Sequence, residues 1–165
     1  MAKMIENHDK TPFENAVLPA IGGLIGKTCC RQRVGRMRSL SLGFGQKIPH
    51  GKSRLIDDFY GEWEIGTYTA SWRVVREGVI LCGSQDVVES LSDLDARLSK
   101  IKFGEIEAIN VISKFDIRLY FCERIHVDCI GAASDDDELL HIFCPEKLCI
   151  EYSIFGGWKV GEATR

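Results

Sequence analysis

No Asp or Glu occurs between Leu24 and Arg54. That stretch carries Lys27, Arg31, Arg33, Arg36, Arg38, Lys47, Lys52 and Arg54, a charge of +8. With −3 over the whole chain and −1 over Met1 to Gly23, the part from Leu55 to Arg165 is left with −10. Charge segregated on this scale bears on partners and association rates, because complementary fields steer encounter and disfavour wrong partners.

Long apolar runs are also missing. Ala16 to Ile25 is the most apolar early stretch, but Pro19, Gly22 and Gly23 interrupt it and it falls well short of the ~20 residues that cross a bilayer. No membrane is therefore expected among the partners. Met1 to Asp9 is polar and charged where a signal peptide needs an apolar run, so a cytoplasmic location is expected. Cysteine is not scarce, with seven in the chain, but an odd, scattered set does not form the framework of a small secreted disulfide protein. Buried, reduced thiols are expected.

Recognisable chemistry is sparse as well. Cys122, His126 and Cys129 lie close together, yet the paired C-x-x-C spacing of structural zinc is absent. His126 and Cys129 would point to opposite faces of one strand, so no metal is expected. Cys122, His126 and Asp128 share parity, but spacings of four and two residues separate the side chains by about 13 Å and 7 Å along a strand. A Cys/His nucleophile needs hydrogen-bond contact, so no catalytic residue is assigned, and an enzyme built on Cys122 and His126 is the weakest reading. The run Gly22-Gly23-x-x-Gly26-Lys27-Thr28 approaches the end of a P-loop, but Ile21 stands where a glycine is needed and no strand precedes it. The Asp135 to Asp137 run lacks the spacing of a calcium loop. No cofactor is expected.

What the chain does contain is period-two patterning. A single domain is expected over residues 1–165, with residues 1–25 a loosely structured leader in which Asn15 to Ile21 can form one turn. Leu40, Leu42 and Phe44 alternate with small polar residues as in a half-buried strand, and Gln46 to Arg54 reads as a loop displaying basic charge. Trp63, Ile65 and Thr67 share one face opposite Glu62, Glu64 and Tyr68. Trp72 to Val75 and Val79 to Cys82 flank a Glu77-Gly78 hairpin turn. A helix is expected over about Asp86 to Leu98, with Asp86 and Glu89 at its start and Val87, Leu91, Leu94 and Leu98 on its buried face. Strands then follow over Ile106 to Ile112, Asp116 to Phe121, Ile125 to Ile130, Leu139 to Phe143 and Leu148 to Ile154. Their short connections favour antiparallel pairing. The fold class is α+β, a mainly antiparallel β-sheet with one packed amphipathic helix.

Two charged surfaces are the candidate sites. The basic one is Arg31, Arg33, Arg36, Arg38, Lys47, Lys52 and Arg54; it suits phosphates, with Phe44 available to stack on a base, or else it is a face paired with the acidic part of the same chain. The acidic one comprises Asp57, Asp58, Glu62 and Glu64 with the run Asp135, Asp136, Asp137 and Glu138, which suits a basic partner.

The segment Gly61 to Arg73, GEWEIGTYTASWR, followed by a hairpin, a helix and strands ending in FGGWKVG at Phe155 to Gly161, resembles small β-rich proteins of bacterial toxin and immunity loci. These include immunity proteins of contact-dependent growth inhibition systems. The resemblance implies a non-enzymatic protein that binds the C-terminal domain of a cognate toxin one to one, a nuclease by preference, and occludes its active site through the acidic residues. The basic segment then contacts an acidic part of the toxin, RNA or an elongation factor. An RNA-binding module acting through Leu24 to Arg54 is the alternative.

Overall fold

A computed structural model describes residues 13–68 and 70–163. Among the described residues eleven strands form two antiparallel sheets. The six-stranded sheet contains β1 (Cys29–Val34), β2 (Leu40–Pro49), β3 (Phe59–Gly66), β9 (Glu138–Phe143), β10 (Leu148–Ser153) and β11 (Gly157–Glu162), in that spatial order. The five-stranded sheet runs β5 (Val79–Gly83), β4 (Ser71–Arg76), β8 (Ile125–Ile130), β7 (Asp116–Phe121), β6 (Ile106–Ser113). Their apolar faces share one buried cluster, as expected when each sheet has one hydrophobic face to cover. Phe44 of β2 reaches Phe121 of β7 with ring centroids 6.0 Å apart, joining the sheets.

The alternation read from the sequence sets the inward face. Ile117 pairs with Cys129 and Leu119 with Val127, and these four are fully buried, as are Leu42 and Phe44. Glu77 and Gly78 both adopt positive φ, 50° and 79°, the requirement of the tight hairpin turn whose twist matches its strands. Strand formation also extends further than the alternation suggests. β1 lies inside the basic segment, and β2 continues to Pro49 across part of the expected loop.

Of the expected leader, residues 1–12 lie outside the described residues, and the rest is mostly exposed but anchored to the core at a few positions. A π-helical turn over Phe13–Val17 runs into α1 (Leu18–Ile21). Val17, Ile21 and Leu24 are buried, and the Phe13 ring lies 5.1 Å from that of Trp158.

Helix α2 (Leu91–Ser99) starts five residues later than the sequence suggests. Ser90 is its cap: its hydroxyl accepts from Asp93 N–H while the Asp93 carboxylate accepts from Ser90 N–H at 3.0 Å. Asp86 is drawn elsewhere. Its N–H donates to Gly83 O, its carbonyl accepts from Arg38, and its carboxylate pairs with Arg97 at 2.9 Å. Two β-branched residues, Val87 and Val88, further weaken a start at Asp86, and Val87 is exposed. Leu94 and Leu98 are buried as expected. Ser90→Ala should cost about 1 kcal/mol, read as a lower urea midpoint at unchanged m-value; an unchanged midpoint would show that Asp93 alone holds the turn.

α2 covers the outer edge of β1. The Gln32 amide donates to Leu98 O and Ile101 O, each at 2.6 Å, and Val34 N–H donates to Asp95 at 2.7 Å. An otherwise open strand edge is thereby closed to pairing. Among the described residues no helix is long and apolar enough to cross a membrane.

Candidate functional site

The outer face of the six-stranded sheet carries a polar layer built on glycine. In register across the strands, Gly43 lies between Arg31 and Glu64, and Gly66 between Ser41 and His141. A Cβ on Gly43 would come within 2.8 Å of Glu64 Oε1 and 3.0 Å of Arg31 Cβ; one on Gly66 would lie 2.5 Å from His141 Nε2. The missing side chains allow long polar ones to lie flat across the sheet.

Arg31 and Arg33 point along this face, two residues apart on β1, toward carboxylates of the same chain. Arg33 binds Asp57 in a two-pronged contact, both arms at 2.9 Å, and Asp95 through its remaining nitrogen at 3.0 Å. Arg31 Nε donates to Asp57 at 3.0 Å, and its Nη1 reaches Ser41 at 2.7 Å and Glu64 at 3.1 Å. Glu64, also hydrogen-bonded by Gly61 N–H at 2.6 Å, is buried. Hydrogen bonds from Arg33, ahead of the field of Arg31, hold the Asp57 carboxyl below its ordinary pKa. Asp57 thus straps the 50–58 loop onto β1.

The remaining basic residues divide. Arg38 donates to the carbonyls of Ser84 and Asp86, each at 2.8 Å. Lys27 pairs with Glu62 at 3.5 Å. Lys47 and Lys52 lie over the rings of Phe59 and Tyr60, while Arg36 and Arg54 are exposed. Three of the eight charges, those of Lys27, Arg31 and Arg33, are therefore neutralised by carboxylates of the same chain, which is the intramolecular reading for that part of the segment.

The acidic candidates fall into two groups. Asp57, Glu62 and Glu64 are in the pairings above, and Asp58 is exposed beside them. Asp135 and Asp136 are exposed on the loop between β8 and β9, Asp137 is buried, and Glu138 holds His141 Nδ1 at 2.9 Å. Three loops meet at this end of the molecule. Asp136 accepts from Phe155 N–H at 3.0 Å, Asp137 O from Ile154 N–H at 3.0 Å, and Phe115 O from Gly131 N–H at 2.7 Å. They present two aromatic rings beside the acids, Phe155 at 66% and Phe115 at 50% exposure. No periodicity marks these two residues, since each sits in a turn; only a turn-borne Phe next to Gly or Lys hints at them.

The outer face of the five-stranded sheet holds a second charged row, Arg73, Asp128 and Arg118 on β4, β8 and β7. Arg73 donates to Asp128 at 2.9 Å and Arg118 at 2.6 Å. Burial alone would raise the Asp128 pKa, but these two guanidinium groups hold it below its ordinary value. His126 lies alongside, 3.7 Å from Asp128, its pKa lowered by burial and then by Arg118. Cys122 is occupied away from this row: its thiol accepts from Glu105 N–H and donates to Phe103 O. Burial pushes the thiols of Cys29, Cys82 and Cys129 up to about 12, which leaves them protonated and poorly nucleophilic at neutral pH. Among the described residues no three His, Cys, Asp or Glu side chains group as metal ligands. Comparison with protein-family models, curated proteins and solved structures finds no match to the chain.

Proposed function

We propose that this is a non-catalytic binding protein that recognises a basic protein partner, and specifically an immunity protein that neutralises a cognate toxin nuclease by covering its active site. The observation that carries this reading is the end of the sandwich where exposed Asp135 and Asp136 stand beside exposed Phe155 and Phe115. Aromatic anchors ringed by charge are the composition of energetically dominant interface patches. A nuclease cleft, shaped to hold phosphates, presents the complementary basic field. Asp58, before the start of β3, lies at the far end of the sheet from Asp135 and Asp136, because Gly66 at the other end of β3 is the residue that pairs with His141 of β9, and Asp57 and Glu64 act within the fold. The RNA-binding alternative loses ground because Arg31, Arg33 and Arg38 are engaged by groups of this chain.

The test is protection. Co-expression of this chain with the toxin domain encoded beside its gene should restore growth, and the purified pair should form a one-to-one complex. Asp135→Lys combined with Phe155→Ala should slow association at least about tenfold at low salt, an effect that shrinks as salt screens the charges. Continued growth arrest with the wild-type chain present in excess rejects the role, and unaltered association by the double variant rejects this surface.

A further inference from the structure

On the outer face of the six-stranded sheet, beneath the 50–58 strap, lies a cleft of about 240 Å³ lined by Arg31, Ser41, Lys52, Tyr60, Glu64, Ile65, His141 and Phe143. It is far from featureless. His141 is more than nine-tenths buried, and Glu138 accepts the proton of its Nδ1. In the neutral ring, a proton on Nδ1 toward Glu138 makes Nε2 the acceptor, with no protein partner among the described residues. The imidazole is fixed in place by stacking on Tyr68 at 4.5 Å and by Phe143 at 5.0 Å. Gly66 is the reason it can lean over β3 at all. Arg31 spends Nε and Nη1 on Asp57, Ser41 and Glu64, leaving the two hydrogens of Nη2 without a protein acceptor among the described residues. Lys52 supplies a second cation, 3.4 Å from Tyr60 Oη.

We propose that this cleft binds a small planar acid, with its anionic group on Arg31 and Lys52, its flat ring between Tyr60 and Phe143, and a ring-borne hydrogen-bond donor on His141 Nε2. The charge of the wall favours a monoanion. Arg31 is already shared with Asp57 and Glu64, so the positive charge left to a ligand is that of Lys52, and a dianion would be under-compensated and would face the Glu64 carboxylate. The volume is below that of a drug-sized pocket, which limits the ligand to a single ring with short substituents. His141 Nε2 meets solvent in the open cleft, so a ligand donor there replaces water, and the selectivity comes from the fixed orientation of the ring between Tyr68 and Phe143. The proposal is independent of the partner-binding role, because the cleft and the Phe115/Phe155 surface use different residues.

The experiment is a ¹H–¹³C NMR titration of the full chain, following the His141 and Tyr60 ring signals, with 4-hydroxybenzoate as the probe. Saturable shifts of both rings below about 20 mM are expected. The neutral 4-hydroxybenzamide, and benzoate lacking the donor, should each bind about tenfold more weakly, as should 4-hydroxybenzoate to Lys52→Ala. Lys52 is exposed, so that variant keeps the fold. Inorganic phosphate alone should leave the Tyr60 ring unmoved. Equal binding of acid and amide, affinity unaltered in Lys52→Ala, or no movement of His141 would each overturn the proposal.

Discussion

Asp57→Ala should lose about 3 kcal/mol of unfolding free energy at neutral pH, because it leaves the guanidinium groups of Arg31 and Arg33 facing each other with their shared carboxylate gone. Arg31 and Asp57 retain only 13% and 14% side-chain exposure, so water offers little replacement. The figure sits at the low end for a broken buried pair because Arg33 keeps Asp95 and Arg31 keeps Glu64. Chemical denaturation gives the measurement directly, and a loss below about 0.5 kcal/mol would mean the cluster behaves as an exposed surface pair. Acid provides a second readout. The Asp57 pKa is lower folded than its ordinary 3.8, so its stabilisation is present above that value and is lost as pH falls through the folded one. Asp128, also lowered from 3.8, behaves in the same sense. Wild-type stability should therefore drop below about pH 4, and more gently in Asp57→Ala, which has one such group fewer.

Trp72→Ala should be comparably damaging, about 3 to 5 kcal/mol. Trp72 is 2% exposed and is among the largest buried side chains, and its ring also serves as a fastener. Its Nε1–H donates to Arg38 O at 2.7 Å, so one residue of β4 fixes the turn between β1 and β2, where Met37 and Arg38 both hold φ near +57°, at 56° and 58°. Trp72→Phe keeps most of the ring and loses the hydrogen bond, and should cost about 1 to 2 kcal/mol beyond the volume removed. If Trp72→Ala cost less than about 1 kcal/mol, the two sheets would have to close over the space it leaves.

The strands legible in the sequence are those with one wet and one dry face. Leu40, Leu42 and Phe44, or Ile117, Leu119 and Phe121, alternate because the other side of the sheet meets water. β1 breaks that rule. Arg31 and Arg33 lie on the outer face while Gln32 between them turns toward α2, so both faces of this strand are polar and a period-two pattern has nothing to show. The division into two sheets was equally hidden, since strand length and alternation do not say which strands pair. The charge segregation was plain, and pairing with the acidic part of the same chain was one of its readings, but which residues would pair was not legible. Arg33 meets Asp57 and Asp95 across 24 and 62 positions, so the same residues that read as separate basic and acidic surfaces form one network once the sheet brings them together. The exposed rings of Phe115 and Phe155 carry no periodic signal, because each sits in a turn, and only their neighbours Lys114 and Gly156 hint at them.

The cover that α2 places over β1 has a consequence for synthesis. Gln32 finds its acceptors 66 and 69 positions downstream, and β3, in the interior of the six-stranded sheet, pairs with β9, made more than seventy residues later. A ribosome releasing this chain from its N-terminus exposes β1, β2 and β3 long before either cover exists, and distant pairings of this kind close slowly. β1, β2 and β3 pair with their sequence neighbours, but the second edge of β3 has no partner until β9 has emerged, which leaves an open strand edge on the nascent chain that the finished protein does not have.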